Sequence, residues 1–224
     1  MKRFLLLLVF LAGCAARPVQ PPTAPAQDFS EAWYLQAESA GKKILHIDAQ
    51  QSLIAITVHR GGRLARLGHD HVVASRRVTG FAAPDDGRAD FHFRLDEMTV
   101  DEPELRREAG FDIQPPAEAI DGTRRNMLTK VLEADRYPFV LLRAERVARD
   151  ESMLRLTISL HDVTRTMDVP TQIENTPNGL TASGTLSLLQ SDFGIAPMSV
   201  MGGAIQVLDR MDLRFNIVAR AVPR

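Results

Sequence analysis

The sequence predicts an all-β domain of antiparallel strands, because long stretches alternate strictly between apolar and polar residues and short turn signals separate them. Such alternation places apolar side chains on one face of a strand and polar side chains on the other. The clearest stretches are residues 89–96, 154–160, 180–188 and 212–220. Strands with one apolar face need a facing sheet or closure into a barrel, and the alternation fits either arrangement.

Turn residues mark the ends of several of these strands. Hairpin turns are predicted at residues 85–87 (Asp-Asp-Gly), at residues 149–151 (Arg-Asp-Glu) and at Asn178-Gly179. The Asn-Gly pair favours a type I′ turn, in which both central residues have positive φ. Together with the alternation, these signals indicate a single domain of hairpin-connected strands.

Helical periodicity interrupts the strand pattern between about Pro103 and Asp135. One or two helical turns are predicted over residues 104–109, and a short amphipathic helix over residues 126–134. Its apolar side is formed by Met127, Leu128, Val131 and Leu132. Pro138 prevents this helix from continuing and begins another strand. A further short helix is predicted within residues 28–43, around Trp33 and Leu35.

The N-terminus has the features of a bacterial lipoprotein signal. Lys2 and Arg3 precede an apolar run over residues 4–11, which is shorter than the roughly 20 residues that span a bilayer. The following Leu-Ala-Gly-Cys resembles a lipobox, in which Cys14 becomes the first mature residue and carries acyl chains such as palmitate. The alternative is an ordinary signal peptide with an incidental cysteine. The prediction is a signal peptide over residues 1–13 and lipidation at Cys14.

The remaining chain divides into a linker and one domain. Residues 14–43 are predicted as a Pro/Ala-rich linker with the short helix, and residues 44–222 as the β domain. Because Ala15 follows Cys14, the resemblance to lipoproteins implies attachment to the outer membrane, facing the periplasm. With 27 basic and 28 acidic residues, the chain has no basic excess that favours a nucleic-acid partner.

Sequence motifs of common enzyme classes are absent. The chain has no Gly-x-Ser-x-Gly, no Gly-x-Gly-x-x-Gly, no phosphate loop, no His-Glu-x-x-His and only one cysteine. The sequence therefore predicts a protein that is not an enzyme and has no catalytic residue. No cofactor is expected, apart from a bound isoprenoid or quinone.

One cluster of histidines is a candidate for metal binding. On a strand, His69 and His71 project to the same side and share a metal if His59, His92 or His161 completes the ligand set. The alternative, which we favour, is that these imidazoles hydrogen-bond a loop or the rim of the domain. His161-Asp162 is interpreted as a turn, stabilised by Asp162 at local backbone amides. The segment with Met198, Met201, Gly202 and Gly203 is read as a surface loop or as a flexible lid.

Four stretches, taken together in order and spacing, resemble the YceI-like family of periplasmic polyisoprenoid-binding proteins. They are residues 56–81 (ITVHRGGRLARLGHDHVVASRRVTGF), 135–147 (DRYPFVLLRAERV), 154–170 (LRLTISLHDVTRTMDVP) and 184–219, which contains Ser191-Asp192-Phe193-Gly194-Ile195. The resemblance covers about residues 44–222. It implies a lipocalin-like, extended antiparallel β-barrel of about eight strands around an apolar cavity, with one or two short helices in an insertion. The His-rich run at 68–71 and the segment 101–126 depart from the family pattern, and both are expected at one end of the barrel.

The resemblance also implies a function. A barrel of about eight strands is wide enough to hold one small ligand, and we expect the protein to bind or carry an isoprenoid or similar amphiphilic lipid non-covalently. The apolar residues predicted to line its cavity are Phe91, Phe93, Leu156, Ile158, Leu186, Phe215 and Ile217. Two alternatives stay open at this point: a periplasmic metal-binding or metal-dependent protein that uses His69 and His71, and a structural envelope lipoprotein with a solid core.

Overall fold

The structure, a computed structural model, describes residues 31–148 and 150–221, and for Glu151 it describes the backbone alone. The predicted signal peptide, the lipidation site Cys14 and most of the predicted linker lie outside the described residues. Arg149, in the second predicted turn, also lies outside them.

Strands dominate the described residues. The strands are β1 (Leu45–Ile47), β2 (Leu53–Gly61), β3 (His71–Ser75), β4 (Thr79–Ala83), β5 (Arg88–Arg94), β6 (Thr99–Val100), β7 (Phe139–Val147), β8 (Asp150–Leu160), β9 (Val163–Thr176), β10 (Gly179–Leu189), β11 (Ser199–Val200) and β12 (Ile205–Arg220). The α-helices are α1 (Glu31–Ser39), α2 (Pro103–Glu108) and α3 (Ala117–Asn126). None of the helices in the described ranges is long and apolar enough to cross a bilayer.

Eight of these strands form a closed antiparallel barrel in the order β1-β4-β5-β7-β8-β9-β10-β12. The ring closes because β1 pairs with β4 on one side and with β12 on the other, where His46 lies opposite Arg220. On the same edge of β12, the longer β2 pairs with residues 206–216 of β12. The sheet then extends from β2 to β3 and from β3 to β6. The predicted barrel of about eight strands is confirmed.

The helical insertion follows β6 and differs from the prediction in its bounds. The first predicted helix appears as α2, but the second begins at Ala117 and ends in a π-helical turn, Met127–Val131. It starts there because Pro116 is extended (φ −65°, ψ 153°) and stands immediately before the first helical residue. Hydrophobic periodicity missed the first half because that half is largely polar. The four predicted apolar residues pack against the main core.

The predicted N-terminal helix exists as α1 and is part of the packed domain rather than of a spacer. Tyr34 is fully buried, and its ring stacks on Phe81 of β4 at a centroid distance of 5.3 Å. Ala37, Ile44 and Ala83 complete this small apolar cluster on the outside of the barrel. Residues 31–39 were grouped with the linker in the sequence analysis, but they cover the barrel wall.

Two of the turn predictions have clear outcomes. The turn at residues 85–87 is confirmed, with Gly87 in the left-handed region at φ +63°. The type I′ prediction at Asn178-Gly179 is wrong, because Thr176 pairs with Gly179 and the central residues are therefore Pro177 and Asn178. Proline fixes φ near −65°, which a type I′ turn does not allow.

The β8–β9 connection instead carries the positive φ values of a type I′ turn. His161 and Asp162 have φ of +55° and +58° and separate the paired residues Leu160 and Val163. The predicted turn at His161-Asp162 is confirmed. The predicted hydrogen bonds from backbone amides to Asp162 are not found in the part of the chain that the structure describes.

Candidate functional site

The barrel interior is hollow and contains two apolar chambers. The first, chamber one, has a cavity volume of about 130 Å³, and chamber two has about 240 Å³. Both are lined by Ile54, Leu142, Ile158 and Leu213, so the two chambers adjoin along the barrel axis. An apolar cavity of roughly 150 Å³ is already enough for a benzene-sized guest. The space suits a ligand that is long and apolar.

The side chains predicted to face the interior line these chambers. Those in chamber one are Phe91, Leu156, Ile158, Leu186, Phe215 and Ile217. Phe93 lines chamber two, where Ile158 also contributes. The alternation along β5, β8, β10 and β12 predicted this placement because residues two apart on a strand share a face. That these side chains contact a ligand stays a prediction.

Chamber two lies at the end of the barrel that carries the helical insertion. Met127, Val131 and Leu132 form one wall, and Met198, from the loop between β10 and β12, forms another. Thr123 and Asn126 of α3 add polar groups to a lining that is otherwise largely apolar. The insertion and the loop therefore shape the part of the cavity that strand patterns do not define.

A buried ionic network supports His71, which lines chamber two. Asp101 Oδ2 accepts a hydrogen bond from His71 Nδ1 at 2.6 Å, and Asp101 Oδ1 accepts from Arg106 Nη1 at 2.7 Å and from the Val72 amide at 3.0 Å. The Asp101 side chain is fully inaccessible and that of Arg106 is 4% exposed. Burial alone raises the pKa of Asp101, but the hydrogen bonds from His71, Val72 and Arg106 outweigh it and hold the pKa below its usual range.

This network brings together the two segments that depart from the family pattern. His71 belongs to the His-rich run, while Asp101 and Arg106 belong to the segment 101–126, and Arg106 Nη1 also donates to the Asp70 carbonyl at 2.7 Å. The expectation that both segments lie at one end of the barrel is confirmed. The role of Asp101 was missed, because an isolated aspartate after a two-residue strand has no sequence signal.

The histidines do not form a metal site in the described residues. His69 is exposed and its ring centroid lies 6.2 Å from that of His71. The other histidines lie apart from this pair. His59 lies near Asp70 and Asp212, and His92 bonds Thr79 on the outer wall. The ring of His161 packs on that of Tyr137, with 4.1 Å between the ring centroids. No group of three His, Cys, Asp or Glu side chains in ranges 31–148 and 150–221 has an arrangement that could hold a metal.

A second buried carboxylate lies on the outside of the barrel, beneath α1. Asp90 is 2% exposed and accepts hydrogen bonds from Tyr34 Oη at 2.8 Å, Arg88 Nε at 2.7 Å and Arg143 Nε at 2.6 Å. Burial and the bond to Asp90 raise the pKa of the Tyr34 phenol. Alternation predicts that Asp90 lies on the polar face of its strand, but it does not reveal that a helix covers that face.

The comparisons with known proteins agree with this architecture. The model of the YceI-like domain matches residues 46–219, which is most of the chain. The protein belongs to the YceI-like family. Comparison with curated protein sequences finds no match.

Two solved structures resemble this YceI-like protein in fold. One is a polyisoprenoid-binding domain from Saccharophagus degradans implicated in plant cell wall breakdown, with 11% identity, a TM-score of 0.57, and coverage of 80% of this chain and 98% of that one. The other is BcnA from Burkholderia cenocepacia, with 13% identity, a TM-score of 0.54, and coverage of 77% and 98%. At these identities the likeness concerns the fold alone.

Proposed function

We propose that this YceI-like protein binds and carries an isoprenoid or similar amphiphilic lipid, without covalent bonds and without catalysis, in the bacterial cell envelope. The observation that carries the proposal is the hollow barrel, whose two adjoining chambers have a largely apolar lining. Ligand sites of this kind are concave and apolar with few polar groups. The polyisoprenoid-binding neighbour with the same fold supports the ligand class.

The energetics of transfer favour a carrier. Burying one methylene from water is worth about 0.8 kcal/mol, so a polyisoprenoid is held firmly by any dry environment. Such a lipid resides in a bilayer, where its tail is already dry. Exchange between the bilayer and an apolar barrel is therefore nearly balanced, which suits a carrier or buffer that both takes up and releases its ligand.

The location is part of the proposal. Acylation at Cys14 would attach the protein to the outer membrane on its periplasmic side, with membrane lipid as its source of ligand. The support is the lipobox-like Leu-Ala-Gly-Cys sequence. Changing Cys14→Ser in the full chain is expected to remove the acyl mass that mass spectrometry of the intact protein detects. Parent and variant chains without any acyl-sized difference in mass would contradict the anchor.

The ligand is tested by native mass spectrometry of the full-length Cys14→Ser chain, followed by extraction of bound lipid. We expect an isoprenoid or quinone near a one-to-one ratio. Ala182→Phe fills chamber one from β10, whereas Ser183→Phe, the next residue along, points the new ring outward. Loss of lipid in the first variant and retention in the second is the expected result. A barrel that takes no isoprenoid from isoprenoid-loaded vesicles contradicts the proposal.

The two alternatives have less support. A solid structural core does not fit the chambers, and a metal protein does not fit the separation of the histidines within the described residues. Metal content of the protein, purified without a His tag, tests the second alternative directly. Stoichiometric metal that disappears on changing His69 and His71 to Ala would favour it.

A further inference from the structure

Chamber two differs from a plain apolar cavity because a few polar side chains reach its lining. Those side chains are His71, Thr123, Asn126 and Gln190. The side-chain nitrogen of Gln190 already has a partner, since Nε2 donates to the Leu208 carbonyl at 2.9 Å. Thr123 and Asn126 lie three residues apart on α3, and neither side chain has a hydrogen-bond partner within residues 31–148 and 150–221. Polar groups of this kind in a ligand cavity fix the orientation of the ligand.

His71 is held in one orientation, and its Nδ1 carries a proton. A carboxylate only accepts hydrogen bonds, so the 2.6 Å contact with Asp101 places the proton on Nδ1. In the neutral ring Nε2 is then an acceptor. No group in the described part of the chain bonds this second nitrogen. Asp101 is itself fixed by Arg106 and the Val72 amide, so the ring is rigidly presented to the chamber.

The lining of chamber two also disfavours a ligand with a negatively charged head group. Among the described residues, neither Lys nor Arg lines chamber two, and the neighbouring Arg106 is already bound to Asp101 and to the Asp70 carbonyl. An ionised phosphate placed there would lose its hydration and find neither Lys nor Arg among the described lining residues, at a high cost in free energy. A neutral hydroxyl meets no such penalty and finds an acceptor at His71 Nε2.

We propose that chamber two is a head-group site for an uncharged hydroxyl, which donates to His71 Nε2 and bonds the Asn126 amide, while the tail extends toward chamber one. The ligand class is then an isoprenoid alcohol or a hydroquinone rather than an isoprenyl phosphate. This inference rests on the proposed function and adds the chemistry of the polar end of the ligand.

The test compares farnesol, farnesyl diphosphate and the hydrocarbon squalene as competitors for a fluorescent apolar probe, on the full-length Cys14→Ser chain. Farnesol is expected to bind more tightly than the diphosphate. His71→Leu and Asn126→Leu are each expected to weaken the binding of farnesol about tenfold, which is at the upper end of the net value of one hydrogen bond. Neither variant is expected to change the affinity for squalene. His69→Leu, on the exposed neighbour, is the matched control and leaves both unchanged.

The outcomes separate the two proposals. If neither farnesol nor squalene binds the parent chain, the lipid-carrier function fails. If both bind but farnesyl diphosphate binds more tightly than farnesol, the head-group site is wrong and the carrier function stands. The same conclusion follows if both Leu variants weaken the binding of squalene as much as that of farnesol. Asn126→Leu leaves the Asp101–Arg106 network intact, so it remains informative even if His71→Leu does not fold.

A different observation concerns the surface beside chamber two. The loops over residues 62–70 and 194–204 lie together, since the Leu64 amide donates to the Ala204 carbonyl at 2.8 Å. Their side chains include the exposed Leu67 (61%) and Met201 (70%). Large exposed apolar side chains on two hydrogen-bonded loops make this surface a candidate interaction site. We call these two loops the tip.

The charge of the tip points to an anionic partner. Arg63 and Arg66 are exposed, and neither has an ion-pair partner in the residues that the structure describes. The one acidic residue of the tip sequence is Asp70, at the end of the first loop, and its carboxylate is paired with Arg60. Basic side chains around protruding apolar ones match the anionic surface of a bilayer, where each Arg near the surface adds affinity that salt weakens.

We infer that the tip docks on an anionic lipid bilayer, with Leu67 and Met201 entering the interface and Arg63 and Arg66 among the head groups. The same loop supplies Met198 to the lining of chamber two, and the Val207 amide donates to the Met198 carbonyl at 2.8 Å. Docking would therefore place chamber two next to the lipid surface, independently of which head group binds inside.

Vesicle co-sedimentation of the full-length Cys14→Ser chain tests this surface. We expect binding to phosphatidylethanolamine/phosphatidylglycerol vesicles, little binding to phosphatidylcholine vesicles, and release by salt. The double variant Arg63→Ala/Arg66→Ala is expected to weaken binding about 30-fold, and Leu67→Glu with Met201→Glu to abolish it. Leu35→Glu, at a residue 45% exposed on α1, is the control and has no effect. Equal binding to both vesicle types, or an equal effect of the control, would overturn the inference.

Discussion

Asp90 and Asp101 are both almost inaccessible and both are paired with arginine, but their neighbours differ. Asp90 lies under α1, on the outer wall, where Tyr34, Arg88 and Arg143 complete its hydrogen bonds. Asp101 bonds Arg106 and also His71, whose side chain lines chamber two. The carboxylate of the first network is bonded on the outer wall, although its partner Arg88 also lines chamber one, whereas the second network presents the Nε2 of His71, unbonded within the described residues, to chamber two. A buried ion pair therefore points to function when a member of its network presents an unbonded polar atom to a ligand space.

The largest effect is expected from Asp101→Ala. It leaves Arg106, which is 4% exposed, without its carboxylate partner, and removing one partner of a buried pair costs about 3–5 kcal/mol. Urea unfolding measures the free energy of unfolding, and binding of farnesol is expected to weaken in the same variant. Asp96→Ala is a suitable control, because Asp96 and its partner Arg94 are both largely exposed. Equal destabilisation by the two variants would contradict the comparison.

Asp90→Ala is expected to destabilise less, by about 2 kcal/mol, because the side chains of Arg88 and Arg143 are 26% and 18% exposed and can recover some hydration. The same unfolding measurement applies. Ligand affinity should fall less than in Asp101→Ala, since Arg88 of this network lines chamber one but no side chain of the network lines chamber two, where the head group is proposed to bind. A loss of farnesol binding comparable with that of Asp101→Ala would remove the distinction between the two carboxylates.

Tyr34→Phe sharpens the comparison by removing a single hydrogen bond. Asp90 keeps Arg88 and Arg143, and the aromatic packing on Phe81 is preserved. The expected loss is about 1 kcal/mol in the free energy of unfolding. A loss as large as that of Asp90→Ala would mean that the phenol, rather than the arginines, holds the carboxylate.

The smallest effect on the free energy of unfolding is expected from a change in pH. The folded-state pKa of Asp101 lies below its usual value near 4, so its contribution to stability is complete above about pH 4 and is lost as pH falls through the folded pKa. Unfolding measured between about pH 6 and pH 2 should show a shallower loss for Asp101→Asn than for the parent chain. Identical slopes would show that Asp101 does not contribute to acid sensitivity.

The sequence predicted the wall of the barrel better than its ends. Alternation on β5, β8, β10 and β12 identified which side chains face inward, because that pattern follows directly from strand geometry. Closure itself came from the family resemblance, since a sandwich has the same alternation. Nearly all of α3 was missed because it is largely polar, and Pro177 made the Asn178-Gly179 prediction wrong. The His71–Asp101 contact was also missed, because it joins residues 30 apart through tertiary packing.

The way the ring closes has a consequence for folding. β12 is paired with β10 on one edge and with both β1 and β2 on the other, so it joins the two ends of the domain. Until β12 is available, β10 and β2 expose unpaired edges, which recruit other chains into aggregates. Contacts between such distant parts of a chain also form slowly, because a long loop must be ordered first. We therefore expect the interval before β12 docks to be the period in which this protein most needs a chaperone.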